Sequence, residues 1–247
     1  MLNIESLTLQ RGGQAVLAGV DLHLPKGEFL ALIGPNGAGK TSLLRAICDQ
    51  LPVDQGHIRI DGLTADRDPV AYRQRFGLAL APDELPADLS PRQWLQLIAA
   101  ARDLPELPAE VLELAEDLGL GEWLDRALGR CSLGARQKTG VLTAVVGSPP
   151  LLLLDEPFNG LDPIAAFALK QRLRQWADTG RCSILLATHN LELAERWLDG
   201  AALLLGGRIV QRWDAAELHE LQASGGLELA MVERLRATQA APGGPSP

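Results

Sequence analysis

Three clusters in this chain have residue types and spacing suited to chemistry on a phosphoanhydride. The first, Gly34-Pro35-Asn36-Gly37-Ala38-Gly39-Lys40-Thr41, has the form G-x-x-x-x-G-K-[ST]. Its glycines let backbone N–H groups curl around phosphate oxygens at the positive end of a helix. In that pattern Lys40 neutralises the β and γ phosphates, the Thr41 hydroxyl ligates Mg²⁺, and Ser42 continues the same turn. The second cluster is Asp155-Glu156, directly after four leucines. Asp155 at a strand end suits a place near Mg²⁺, and Glu156 suits polarising a water for attack on the γ-phosphate. The third is His189, at the end of another apolar run. His189 either joins the same site or merely precedes a helix that Asn190 caps.

These side chains meet only if the elements carrying them share one sheet edge. Short alternating runs at residues 4–9, 20–24 and 29–33, broken by Gly12-Gly13 and Pro25-Lys26-Gly27, predict a β-rich opening. The glycine-rich loop then leads into a helix over residues 41–49, and a further strand is expected around residues 57–60. From 89 to 128 the apolar spacing is helical, with a proline-containing break at 104–108. From 151 onward apolar runs alternate with helical stretches (151–154, 163–176, 184–187, 191–198), the pattern of a parallel sheet covered by helices.

The 247 residues suit one large α/β domain with a small insertion. With 47% hydrophobic and 22% charged residues, the chain can bury a core, which excludes global disorder. Net charge −8 argues against general attraction to nucleic acid, so no nucleic-acid partner is expected. The apolar stretch 141–154 is interrupted by Gly147, Ser148, Pro149 and Pro150 and falls short of a membrane span. The opening MLNIESLTLQ does not read as a secretory signal, so a cytosolic location is expected. Cys48, Cys131 and Cys182 lack the paired spacing of a zinc site or disulfide framework and read as reduced packing residues.

With Cys131-Ser132-Leu133-Gly134-Ala135-Arg136-Gln137 lying before the leucine run, the clusters together resemble the ATP-binding subunit of ABC transporters. The resemblance covers roughly residues 2–213. It implies an α/β fold: a phosphate-loop NTPase core with a mainly parallel sheet, an N-terminal antiparallel β subdomain and an inserted helical subdomain. The expected organisation is an ATPase domain at 1–213 with its helical insert at about 84–135, a helical extension at 214–239 and a disordered tail at 240–247. By position, Gly34 to Thr41 match the Walker A loop, Asp155 the Walker B carboxylate and Glu156 the catalytic base. His189 matches the histidine that senses the γ-phosphate. Asn159-Gly160-Leu161-Asp162 matches a segment crossing a dimer interface, and Asp162-Pro163 also reads as a plain helix start. Ser132 and Gly134 match a signature that grips ATP held by the opposite subunit.

Three positions depart from the family pattern. Arg11 stands where relatives stack an aromatic residue on adenine, and a guanidinium can also stack on a base. Asp83, in Ala81-Pro82-Asp83-Glu84, stands where a glutamine links Mg²⁺ to the permease. Leu133 puts bulk where the signature has glycine.

The resemblance implies an ATP-hydrolysing subunit, most like exporter-type ATPases, that uses ATP and Mg²⁺. It would pair with itself or a related ATPase, and drive a separate permease from the inner face of the membrane. The alternative is an ABC-type ATPase acting on a ribosome or DNA. An unrelated phosphate-loop GTPase or kinase would leave the signature unexplained, and no N-K-x-D guanine-reading motif occurs. Trp94, on the segment expected to meet the permease, reads equally as core packing of its helix.

Overall fold

Period-two alternation near the N-terminus produces strand β1 (Leu2–Arg11), with Leu2, Ile4, Leu7 and Leu9 buried. The structure is a computed structural model and describes residues 1–240. The expected disordered tail lies outside the described residues from 241 onward. Gly12 and Gly13, both at positive φ, turn the chain into β2 (Gln14–Leu24), antiparallel to β1 with Leu2 opposite Leu24. Next come β3 (Phe29–Ile33), helix α1 (Lys40–Ile47) and β4 (Gln55–Ile60). β4 pairs antiparallel with β1 and completes a three-stranded sheet ordered β2-β1-β4.

The rest of the chain runs α2 (Pro69–Arg73), β5 (Phe76–Leu78), α3 (Pro91–Ala101), α4 (Ala109–Asp117), α5 (Leu133–Val145) and β6 (Leu151–Asp155). It continues through α6 (Pro163–Asp178), β7 (Ser183–Ala187), α7 (Leu191–Trp197), β8 (Gly200–Leu205), β9 (Arg208–Asp214), α8 (Ala215–Ala223) and α9 (Gly226–Ala240). Capping fixes several starts. Ser90 and Gln93 form a capping box ahead of Pro91 on α3, and Asp162 caps α6 ahead of Pro163. Asn190 caps α7, accepting from the Leu193 N–H at 2.9 Å.

The second sheet has six strands in the order β5-β6-β7-β3-β8-β9, parallel except for β9. The expected α/β arrangement, an antiparallel N-terminal sheet beside a mainly parallel one, is what the chain adopts. Both faces of the parallel sheet are covered, which is why its strands read as unbroken apolar runs. Phe29, Ala31, Ile33, Leu152 and Leu154 join one core; Leu30, Leu32, Leu151, Leu153 and Leu185 join the other, against α1 and the antiparallel sheet. Each such leucine stabilises the fold by about 1.5–3 kcal/mol. No helix among the described residues is long and apolar enough to cross a membrane.

This strand order does the positioning. β6, β7 and β3 are neighbours and parallel, so their carboxyl ends lie side by side. The glycine-rich loop leaves β3, Asp155 ends β6 with Glu156 just beyond it, and His189 follows β7. The crevice outside the carboxyl ends of such strands is where α/β sheets bind ligands.

Candidate functional site

The glycine-rich loop is held by close backbone approaches. Gly34 has φ 153°, and a Cβ there would lie 2.3 Å from the Leu204 carbonyl oxygen. Gly39, at φ 105°, leaves 2.9 Å between a Cβ and the Val16 carbonyl oxygen, so β2 presses on the loop from the antiparallel sheet. Between them Pro35, Asn36 and Gly37 are exposed, and a Cβ on Gly37 would meet nothing within 4 Å. The loop is therefore tight against the protein and open outward. α1 starts with no acidic residue in its first turn and no side-chain cap, so its leading N–H groups are left for an anion.

Lys40 is only 8% exposed. Its Nζ donates to the carbonyls of Gly34 at 2.7 Å and Pro35 at 3.2 Å, and it forms no ion pair among the described residues. A buried ammonium held only by carbonyl oxygens, with no contact carboxylate among the described residues, costs stability that a bound phosphate would offset. Beside it, Thr41 Oγ1 donates to Asp155 Oδ2 at 2.6 Å. Burial pushes the Asp155 carboxyl above its usual range and Glu156 adds to this, while the Thr41 hydroxyl and Lys40 oppose it. A hydroxyl and a carboxylate beside a phosphate cradle form an all-oxygen set suited to Mg²⁺, which takes few protein ligands and keeps substrate phosphates and waters.

Glu156 is the strained residue of the site. Its φ is 45°, left-handed for a residue with a side chain, and its N–H is tied to the Ala187 carbonyl at 2.9 Å. Gln137 of α5 donates to its carbonyl at 3.4 Å. Strain of this kind persists where neighbours over-determine it, commonly at functional sites. The turn away from β6 leaves the carboxylate with two partners from the end of β7: Thr188 Oγ1 donates to Oε2 at 3.2 Å, and His189 Nδ1 lies 2.7 Å from Oε1. Since Asn190 supplies the cap of α7, His189 is free to join this pair.

A cavity of about 330 Å³ adjoins these groups, lined by Thr41, Arg45, Glu84, Gln137, Asp155 and Glu156 among others. The structure does not bring Asp83 there. The carboxylate that the loop presents is Glu84, whose Oε2 accepts from the Ala81 N–H at 2.8 Å and whose Oε1 pairs with Arg45 at 2.9 Å. That turn closes on Glu84 and leaves Asp83 exposed. Arg11 is likewise exposed at the tip of the β1–β2 hairpin, off the cavities beside the loop.

Ser132 and Gly134 line neither cavity. Ser132 is exposed and caps α5, accepting from the Ala135 N–H at 3.1 Å. A Cβ on Gly134 would sit 2.9 Å from the Gly160 carbonyl oxygen, and Lys138 pairs with Asp162 at 3.0 Å. The signature is thus locked to segment 159–162 of its own chain. Sequence reasoning named Glu84 only beside Asp83 and missed Val16, Gln137, Thr188 and Met231 at the site. Only Thr188, adjacent to His189, carried a local signal.

The family described as ABC transporter matches residues 17–159, more than half of the chain. The chain belongs to the ABC transporter family. A glycine betaine/carnitine/choline transport ATP-binding protein of Bacillus subtilis is 34% identical over 218 residues, 85% of this chain and 57% of that protein. The chain thus spans little more than half the length of this relative. A lantibiotic transport ATP-binding protein of Streptococcus pyogenes is 30% identical over 224 residues, 90% of this chain and 95% of that one. Among solved structures, an ATP-binding subunit of an ABC transporter superposes with TM-score 0.85 at 32% identity, covering 94% of this chain and 98% of its own. As an ABC transporter family member, the chain keeps its loop, Asp155, Glu156 and His189 on one edge of the parallel sheet.

Proposed function

We propose that this chain is the ATP-binding and ATP-hydrolysing subunit of an ABC transporter, pairing with a second ATPase subunit and driving export through a separate permease. The observation that carries the reading is Lys40, a buried cation with no ion-pair contact among the described residues, set beside the Thr41–Asp155 pair and the Glu156–His189 pair. The loop N–H groups and Lys40 bind the phosphates of ATP; Thr41 and Asp155 would hold Mg²⁺, which when bound would neutralise charge on the phosphate oxygens. Glu156 orients a water toward the γ-phosphorus and takes its proton as the new P–O bond forms and the bond to the bridging oxygen breaks. ADP and phosphate leave, and the proton passes on to the phosphate. His189 holds Glu156 and reaches toward the γ-phosphate.

Pairing is supported by what the chain leaves unused. Ser132 stands exposed at a helix start beside half-buried Gly134, and neither lines the chain's own cavities, which supports a role for them at a second subunit's phosphate. A groove of about 610 Å³ on the other side of α3 supports the permease reading. It is lined by Val70, Phe76, Trp94, Ile98 and Arg102 among others, and Val70 is 67% exposed. Trp94 is compatible with both readings: its indole N–H donates to Thr143 at 2.9 Å, and the residue also lines the groove. The relatives' names concern transport, which favours a permease over a ribosome or DNA. The lantibiotic relative, spanned nearly end to end, favours export. Such a subunit sits at the inner face of the membrane, held there by the permease.

The test is Glu156→Gln. ATP binding persists, turnover falls by about 10²-fold or more, and the variant sediments as a dimer with ATP and Mg²⁺. Near-normal turnover would remove Glu156 as the base and, with it, this account of hydrolysis.

A further inference from the structure

Two apolar features of the chain are unexplained by phosphate chemistry. The first is Leu133, which opens α5 directly after Ser132 and is 59% exposed. A leucine at a solvent-facing helix start gains nothing from its own chain and loses the glycine that its place in the motif would offer. The second is a cavity of about 470 Å³ over the glycine-rich loop. Gly34, Pro35 and Asn36 line it on one side, and His189, Leu191 and Met231 are also among its lining.

Met231 belongs to α9, far along the chain from the loop. It arrives there because α9 is fastened to α7. Gly225 and Gly226, both at positive φ, reverse the chain after α8. Leu227 is then fully buried and its N–H donates to the Glu195 carboxylate, while Gln222 Nε2 donates to the Glu195 carbonyl at 2.7 Å. The C-terminal helix thereby adds an apolar wall to a cavity whose loop residues are polar. Methionine fills irregular gaps against a partner at small cost.

We propose that when two copies of this chain close on ATP, Leu133 of each copy seats against Met231 and Leu191 of the other, making α9 part of the dimer interface. The inference rests on the paired-subunit reading above and extends it to the C-terminal helix. Leu133 directly follows Ser132 at the start of α5, so bringing Ser132 to the opposite phosphate site carries Leu133 to the cavity beside it. That cavity already offers the apolar surface Leu133 lacks. The occupant is therefore a second copy, continuous with the surface that carries the signature.

The test uses the full chain carrying Glu156→Gln, with Leu133→Cys and Met231→Cys together and singly, treated with a short bismaleimide. The three native cysteines are buried, so the parent gives little background. The expected result is a covalent dimer that needs both new cysteines and ATP with Mg²⁺. Leu133→Ser and Met231→Ala should each weaken the ATP-dependent dimer about five- to tenfold in Kd, and together by less than the product of the two. A dimer that sediments normally with ATP yet never cross-links, or whose affinity ignores Leu133→Ser, overturns the inference and leaves the pairing intact. A parent that never dimerises with ATP overturns both.

Discussion

His189 Nδ1 lies 2.7 Å from Glu156 Oε1, joining the ends of two neighbouring parallel strands through their side chains. The histidine therefore holds the carboxylate that would activate water, while Thr188 holds its other oxygen. Donating to both ends takes an N–H on each ring nitrogen: Nδ1–H toward the Glu156 carboxylate and Nε2–H toward a phosphate oxygen.

His189→Ala is accordingly expected to lower ATP turnover by about 10²-fold, the usual loss of one positioned donor, while ATP affinity changes little. Steady-state hydrolysis and equilibrium nucleotide binding measured on one preparation check this. Equal losses in both would make His189 a simple phosphate ligand.

Lys40→Ala acts on binding instead. A charged hydrogen-bond donor to phosphate contributes about 1.5–3 kcal/mol, so ATP affinity should fall by roughly ten- to a hundredfold. The rise in melting temperature produced by ATP should shrink in step. Thermal unfolding with and without ATP reads both effects.

Base selectivity should be weak. Arg11 is exposed at a hairpin tip with no ring in its place, so phosphate contacts carry most of the affinity. ATP and GTP are expected to bind within about tenfold of each other, or 1.4 kcal/mol. Competition binding with both nucleotides decides it, and Arg11→Ala should leave the ratio of the two affinities unchanged.

Glu84 and Asp83 should separate. Glu84→Ala removes the acceptor that ties Ala81 and Arg45 together at the cavity. It is expected to cut permease-stimulated hydrolysis severalfold with ATP binding nearly intact, as for a residue coupling two sites. Asp83→Ala, on the exposed turn, should change basal hydrolysis less than Glu84→Ala does. A larger effect at Asp83 would show that this loop rearranges when the permease or Mg²⁺ binds.

The cysteines should be silent in the folded chain. Burial raises the thiols of Cys48 and Cys131, and that of Cys182 is pushed up to about 11. Folding thus favours the neutral thiol and removes the reactive thiolate near neutral pH. An aromatic disulfide reagent at pH 8 should modify almost none of them natively and all three in guanidinium.

What could be read from residues alone was whatever is set within a few positions. Gly34 to Thr41 between an apolar run and a helix, four leucines before Asp155, and the Asn190 cap all depend on backbone sterics and nearest neighbours. Unbroken apolar runs likewise mark β3, β6 and β7, because both faces of a parallel sheet are covered. Order within the sheet is different. That β6, β7 and β3 lie side by side follows from how helices pack on the two faces, a sum over contacts between residues far apart in sequence. Only that order brings Lys40, Asp155, Glu156 and His189 to one edge. The same holds for Glu84 rather than Asp83, for Val16 against Gly39, and for Met231 over the loop. In each case a turn or a helix docking chooses which of several plausible side chains faces the site, because burial and hydrogen bonding there are decided by distant partners.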